Sequence, residues 1–274
     1  MAAPIEDLSR LCIHTITTKP WSLREAIDGY VAAGVAGVTV WQQHLEPQGA
    51  AESGAMLRDS GLAVVSLCRG GFFPATTRAG HEEALDNNRR AIDQAAAIGA
   101  PLVVLVCGAV PGMPLSEGRK QIVDGIAAVL PHAKAAGVKL SIEPLHPMFA
   151  DSRSAVNTLK KANDMVAALA DDAVGVTVDV YHVWWDPELE AEIQRAGSTV
   201  LSFHVCDWRT PTRDMLNDRG LMGEGCIDIR AIRGWVEATG FAGYNEVEIF
   251  SDEYWAGDQG AFVERIKTAY LEHV

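Results

Sequence analysis

Ala136-Gly-Val-Lys-Leu-Ser-Ile-Glu-Pro144 reads as a helix end, a strand and an acid at the strand's last position. Ala-Gly-Val places a glycine where a helix C-cap needs a left-handed residue. Lys139–Glu143 is short and mostly apolar. The same junction recurs at Ala33-Gly-Val35, with variants at Ser60-Gly-Leu62 and Ile98-Gly-Ala100. Working outward from it, eight short runs predict strands at Leu11–His14, Gly37–Trp41, 62–67, Leu102–Val106, Lys139–Glu143, 174–178, 200–204 and 244–249. Most are continuously apolar, as strands covered on both faces must be. Longer amphipathic segments separate them, with a capping box at Ser22-Leu-Arg-Glu25 and C-cap glycines at Gly34, Gly61, Gly99, Gly137 and Gly240. Strands alternating with helices predict a parallel sheet with crossover connections.

The chain has 274 residues, close to the roughly 250 of one α/β barrel. No Pro-rich linker, low-complexity tract or charge block interrupts it, so the expectation is a single (β/α)8 TIM barrel over 1–274. A formal charge of −13 opposes binding to a phosphate backbone, which runs on lysine and arginine. Nucleic acid is therefore not an expected partner. No apolar run is long enough to span a bilayer, and the N-terminus lacks a basic start followed by an apolar stretch. The reading is a soluble, unexported, cytoplasmic protein with no membrane partner. The five cysteines are an odd number without a C-x-x-C pair, which supports neither a disulfide framework nor a thiolate zinc site. Cys107 and Cys206 follow strands but lack a neighbouring base, and read as packing residues.

The last four predicted strands each end in a metal-ligand type: Ser141-Ile-Glu143, Thr177-Val-Asp179, Ser202-Phe-His204 and Glu246-Val-Glu248. In a closed barrel those ends share one rim, the C-terminal mouth where active sites form. Three carboxylates and one imidazole make an oxygen-rich set that suits one divalent cation, Mn²⁺ first, with Mg²⁺, Co²⁺ or Zn²⁺ also fitting. Without a cation the carboxylates would repel one another and at least one would be forced to hold its proton. Glu246 and Glu248 lie two apart and so point to one face of a strand; only one is expected as a primary ligand. The longest connection without helix signal, 205–227, falls at the same mouth, and loops of that length are usually functional.

Ile142-Glu-Pro144, Asp179-Val-Tyr-His182, His204-Val-Cys-Asp207, Met222-Gly-Glu-Gly-Cys-Ile-Asp228 and Gly240-Phe-Ala-Gly-Tyr-Asn-Glu-Val-Glu248 together resemble the xylose isomerase-like barrel superfamily. It includes ketose 3-epimerases, inosose isomerases and dehydratases, hydroxypyruvate isomerase and apurinic-site endonucleases. The resemblance implies that Glu143, Asp179, His204 and Glu248 bind one divalent cation, with Glu248 rather than Glu246 as the ligand. It also implies that Glu143 and Glu248 act as acid and base on opposite faces of the substrate. Two departures stand out. The endonuclease members use three metals and extra early-strand histidines, where this chain has only His14. His146 stands where the sugar epimerases commonly carry a different polar residue.

The expected activity is therefore that of a metal-dependent isomerase or epimerase of a ketose or keto-polyol, proceeding through an enediolate. The rival is a lyase or dehydratase that eliminates from a keto-sugar, a 3-keto-glycoside or a keto-inositol. In that case His146 would be a further catalytic residue, protonating the leaving oxygen. A reading of another class is a non-catalytic sugar-binding barrel. Substrate contacts are expected from His182, Asp207, Arg69, Arg219, Trp41 and Glu246, with Asp207 alternatively orienting His204. Trp41, Phe72, Phe73, Trp184 and Trp208 lie at or after strand ends and can wall the C–H faces of a sugar. The partner is a small sugar or polyol, unphosphorylated because no Gly-rich phosphate cradle is present. A homo-oligomer is compatible with this class of enzyme.

Overall fold

The computed structural model describes residues 2–274. Eight parallel strands close into a barrel whose spatial order follows chain order. They are Leu11–His14, Gly37–Trp41, Ala63–Gly71, Leu102–Val106, Lys139–Glu143, Val174–Asp179, Val200–Val205 and Asn245–Val247, and helices fill the connections. Ser22 caps the first helix, Leu23–Ala32, through the expected reciprocal box with Glu25. Outward-facing strand residues such as Val38, Val40, Val103 and Leu105 are buried against the helices, each contributing roughly 1.5–3 kcal/mol of hydrophobic burial.

The strand interiors depart from the all-apolar expectation. Thr39, Ser66, Ser141, Thr177 and Ser202 are fully buried and form a layer of hydroxyls across the barrel. Thr39 Oγ1 lies 3.0 Å from Ser66 Oγ, and Ser141 Oγ 2.6 Å from Thr177 Oγ1. A hydroxyl is small and brings both donor and acceptor, so it tolerates a buried polar centre better than valine would.

Two strands differ from expectation at the mouth. The third runs on to Gly71, past residue 67, and its register against the fourth slips between Cys68 and Gly70, which leaves Arg69 at a bulge. Bulges re-aim a side chain. Gly71 holds φ +110°, and a Cβ there would sit 2.0 Å from the Val106 carbonyl oxygen, so this close strand approach requires glycine. The eighth strand stops at Val247 rather than 249. Beyond it Thr17 replaces the ladder: its hydroxyl donates to the Val247 carbonyl at 3.0 Å and accepts from the Ile249 amide at 3.0 Å. Glu248 therefore projects from an extension held by a side chain.

The connection 205–227 is also more ordered than a bare loop. Asp207–Trp208 pairs antiparallel with Arg219–Gly220, which carries Arg219 over the barrel axis. An ion-pair network of Arg209 and Arg213 with Asp218 and Glu253 ties the hairpin to the chain after the eighth strand.

Candidate functional site

Ligand atoms of Glu143, Asp179, His204 and Glu248 lie within 4.8 Å of one another, all buried. Adjacent strands place them: Asp179 pairs in register with His204, and His204 with Glu246. His204 Nδ1 is 3.2 Å from Glu143 Oε1 and 3.9 Å from Glu248 Oε2. Yet Glu143 Oε1 and both ring nitrogens of His204 are buried without an aligned hydrogen-bond partner among the described residues. Buried polar atoms in native proteins are normally satisfied. Converging oxygens and an imidazole nitrogen with open lone pairs fit a divalent cation.

The electrostatics point the same way. Burial alone would make His204 less basic, but the Glu143, Glu246 and Glu248 carboxylates push it up to about 10, so this centre draws in positive charge. Burial raises Asp179, with Glu248 and Glu143 adding to the rise against the opposing Arg219. Burial would raise Glu248 as well, but Arg219, His14 and His204 hold it well below the ordinary carboxylate range.

Arg219 is 3% exposed and is drawn to the carboxylates. Its Nη1 donates to Glu248 Oε2 at 2.8 Å and Asp179 Oδ2 at 3.1 Å, and its plane stacks between Tyr181 and Phe250. His182 Nε2 is 3.2 Å from Arg219 Nη2, while its Nδ1 accepts the His146 backbone N–H at 3.2 Å. Burial first, then Arg219, lowers His182 well below an ordinary imidazole, so it is neutral. Glu143, Glu248, His182, Arg219 and Trp41 line one narrow cavity together with Leu216 and Arg153.

Several expected residues fall elsewhere. The His146 ring stacks on Trp208 at 4.9 Å and abuts Trp185 at 5.7 Å, and its Nδ1 accepts the Met148 amide at 3.3 Å. Burial keeps it less basic than usual. It packs in an aromatic cluster and caps a helical turn; the imidazole that lines the cavity is that of His182. Trp208 and Trp184 belong to the same cluster. Asp207 binds neither His204 nor the cavity: its carboxylate accepts the amides of Trp208, Gly223 and Ile227 at 2.8, 2.9 and 3.0 Å. It pins the long connection.

Glu246 lies one layer deeper and is not among the residues that line the cavity. Its Oε2 accepts from Thr39 at 2.6 Å, lies 3.2 Å from His14 Nε2 and accepts from Ser66 at 3.3 Å; its Oε1 accepts from Ser202 at 2.5 Å. His14 in turn sets its Nδ1 3.1 Å from Glu248 Oε1. Glu246 thus braces the floor beneath Glu248. Two features went unread in the sequence. The hydroxyl near the middle of strands two, three, five, six and seven was visible as a pattern, whereas Arg153, in an irregular loop, carried no signal.

The chain matches the xylose isomerase-like TIM barrel family over residues 27–268. An inosose isomerase of Halalkalibacterium halodurans is 27% identical over 203 residues, 72% of this chain and 69% of that protein. A 3-dehydroshikimate dehydratase of Pseudomonas putida is 26% identical over 86% of this chain but only 37% of its own length. The crystal structure of protein SMc04130 from Sinorhizobium meliloti superposes with a TM-score of 0.93 at 46% identity, covering 96% of this chain and 98% of that one. The curated relatives are thus enzymes of isomerase and dehydratase type, and the match spans most of the barrel with its mouth. This chain belongs to the xylose isomerase-like TIM barrel family.

Proposed function

We propose that this protein is a divalent-metal-dependent isomerase or epimerase of a ketose or keto-polyol, with Glu143 and Glu248 exchanging the substrate proton. One observation carries the reading. Glu143 and Glu248 line the same cavity from strands five and eight, with strands six and seven between them. They reach a bound carbon skeleton from two sides, as removal and return of one proton require.

Glu143, Asp179, His204 and Glu248 would hold the cation, Mn²⁺ in first place because the set is mostly oxygen. When bound, the cation supplies Lewis-acid stabilisation of the negative charge that an enediolate spreads over adjacent oxygens. Arg219 donates hydrogen bonds into the same space and orients Glu248. Neutral His182, whose Nδ1 accepts the His146 amide, offers a substrate oxygen its Nε2–H as a donor, and Trp41 supplies an apolar wall. The narrow cavity leaves little room for water beside a seated substrate.

Dehydration of a keto-acid or keto-inositol is the second reading, favoured by the 3-dehydroshikimate dehydratase relative. It shares the first proton abstraction. His146 lies outside the cavity, so the leaving oxygen would take its proton from one of the two glutamates. Incubating the Mn²⁺-loaded protein with keto-sugars and keto-inositols in D₂O separates the two. Isomerisation or epimerisation installs deuterium without loss of water, whereas dehydration yields an ultraviolet-absorbing enone. Activity that survives in both Glu143→Gln and Glu248→Gln rules out the two-carboxylate mechanism.

A further inference from the structure

His14, Cys68 and Glu248 form a second group of ligand types at the mouth, which shares only Glu248 with the first. One ligand atom of each lies within 4.8 Å of the other two, and all three residues are buried. They come from the first strand, the third strand and the extension of the eighth. Only closure of the barrel brings them together, so no C-x-x-C pair marks the thiol.

Glu248 offers each group a different oxygen. Its Oε2 lies 3.9 Å from His204 Nδ1 and accepts from Arg219 at 2.8 Å, while its Oε1 lies 3.1 Å from His14 Nδ1. The His14 ring is set for ligation from its other side. Its Nε2 lies 3.2 Å from Glu246 Oε2, an oxygen that also accepts from Thr39 and Ser66. Its Nδ1 faces the Trp41 Nε1–H at 3.3 Å, a long contact, and an indole N–H only donates. Nε2 therefore carries the ring proton and Nδ1 the lone pair, the arrangement in which a carboxylate orients a metal-binding histidine. That lone pair also faces the Glu248 carboxylate, and two such atoms in a dry site are costly unless a proton or a cation parts them. Against burial and His204, Glu246 and Glu248 raise the His14 imidazole above its ordinary value, so positive charge is drawn to this point. A proton leaves the Cys68 sulfur unused; a cation engages all three donors.

The charge balance agrees. Among the buried charges at the mouth, Glu143, Asp179, Glu246 and Glu248 outnumber Arg219 by three. One divalent cation leaves one negative charge over. A second, binding as it displaces the Cys68 thiol proton to solvent, brings the centre to neutrality.

We infer that the mouth holds a second divalent-cation site, formed by His14 Nδ1, Cys68 Sγ and Glu248 Oε1, with Glu248 bridging the two ions. One nitrogen, one sulfur and one oxygen make a softer set than the oxygen-rich quartet, and suit Zn²⁺ or Co²⁺ with a coordination position left open. The inference does not depend on the isomerase reading.

The test titrates the chelator-treated full chain with Co²⁺, whose bond to a thiolate adds a near-ultraviolet absorption band that oxygen and nitrogen donors do not give. Cys226→Ser, which removes the exposed cysteine, serves as the parent background. Uptake should reach about two equivalents, with the thiolate band accompanying one of them. Cys68→Ser and His14→Ala should each lose the band and about one equivalent. Asp179→Asn should lose the other ion and keep the band, which separates this site from the quartet. Uptake of only about one equivalent, a second equivalent without a thiolate band, or a band that persists in Cys68→Ser overturns the inference. Should the Cys68 and His14 variants misfold by circular dichroism, the stoichiometry and the band in the Cys226→Ser background still decide, and X-ray absorption at the cobalt edge finds or fails to find the sulfur neighbour.

Discussion

Glu246→Gln isolates the charge buried beneath the site, because glutamine keeps the volume and removes only the negative charge. Burial by itself would raise the pKa of Glu246. His14, His204 and the Ser202 hydroxyl overcome this and lower it from an ordinary 4.5 to about 2. At about 1.4 kcal/mol per pH unit, the folded protein prefers the charged form by roughly 3 kcal/mol, which the variant forfeits at neutral pH. The sign of the pH dependence follows. A carboxylate with a depressed folded pKa stabilises the fold above its unfolded pKa, and that stabilisation is lost as pH falls from 4.5 toward 2. The gap between parent and variant should thus stay near 3 kcal/mol at about pH 5 and shrink to about 1 kcal/mol near pH 3. Urea unfolding of chelator-treated protein, followed by tryptophan fluorescence at the three pH values, reads it directly. A gap under about 1 kcal/mol at neutral pH, or one that widens on acidification, would refute the assignment of Glu246 as the charged brace of the floor.

Two further outcomes are expected. Asp207→Ala strips an acceptor from three backbone amides, of which that of Gly223 belongs to an exposed residue and can turn to water. The cost should be about 2 kcal/mol, with faster tryptic cleavage after Arg209 and Arg213; unchanged cleavage would show that the hairpin holds itself. Adding Mn²⁺ should raise the melting temperature, with a stabilisation of about 2.7 kcal/mol at a hundredfold excess over Kd. The increment should vanish in His204→Asn but persist in Asp207→Asn, and differential scanning calorimetry distinguishes the two.

The barrel was legible in the sequence because parallel crossover connections impose a local rhythm. Each helix end, glycine and short apolar strand could be read within a dozen residues, and the rhythm obliges every strand to finish on one rim. The convergence of Glu143, Asp179, His204 and Glu248 follows from that, since each lies at or within one residue of the end of its strand. Side-chain direction beyond the strand ends did not follow. Glu246 and Glu248 share a face and a residue type, yet Glu246 is claimed by Thr39, 207 positions away, and Glu248 by Arg219 from the long connection. His146 looked like a free acid beside a strand end until Trp208 stacked on it, and Asp207 turned to amides up to 20 residues downstream. Arg153 reaches the cavity from an irregular loop, a position that no periodicity in the sequence marks. Strand ends obey the periodicity of the backbone; the sites of loop and interior side chains are chosen by contacts that exist only once the barrel has closed.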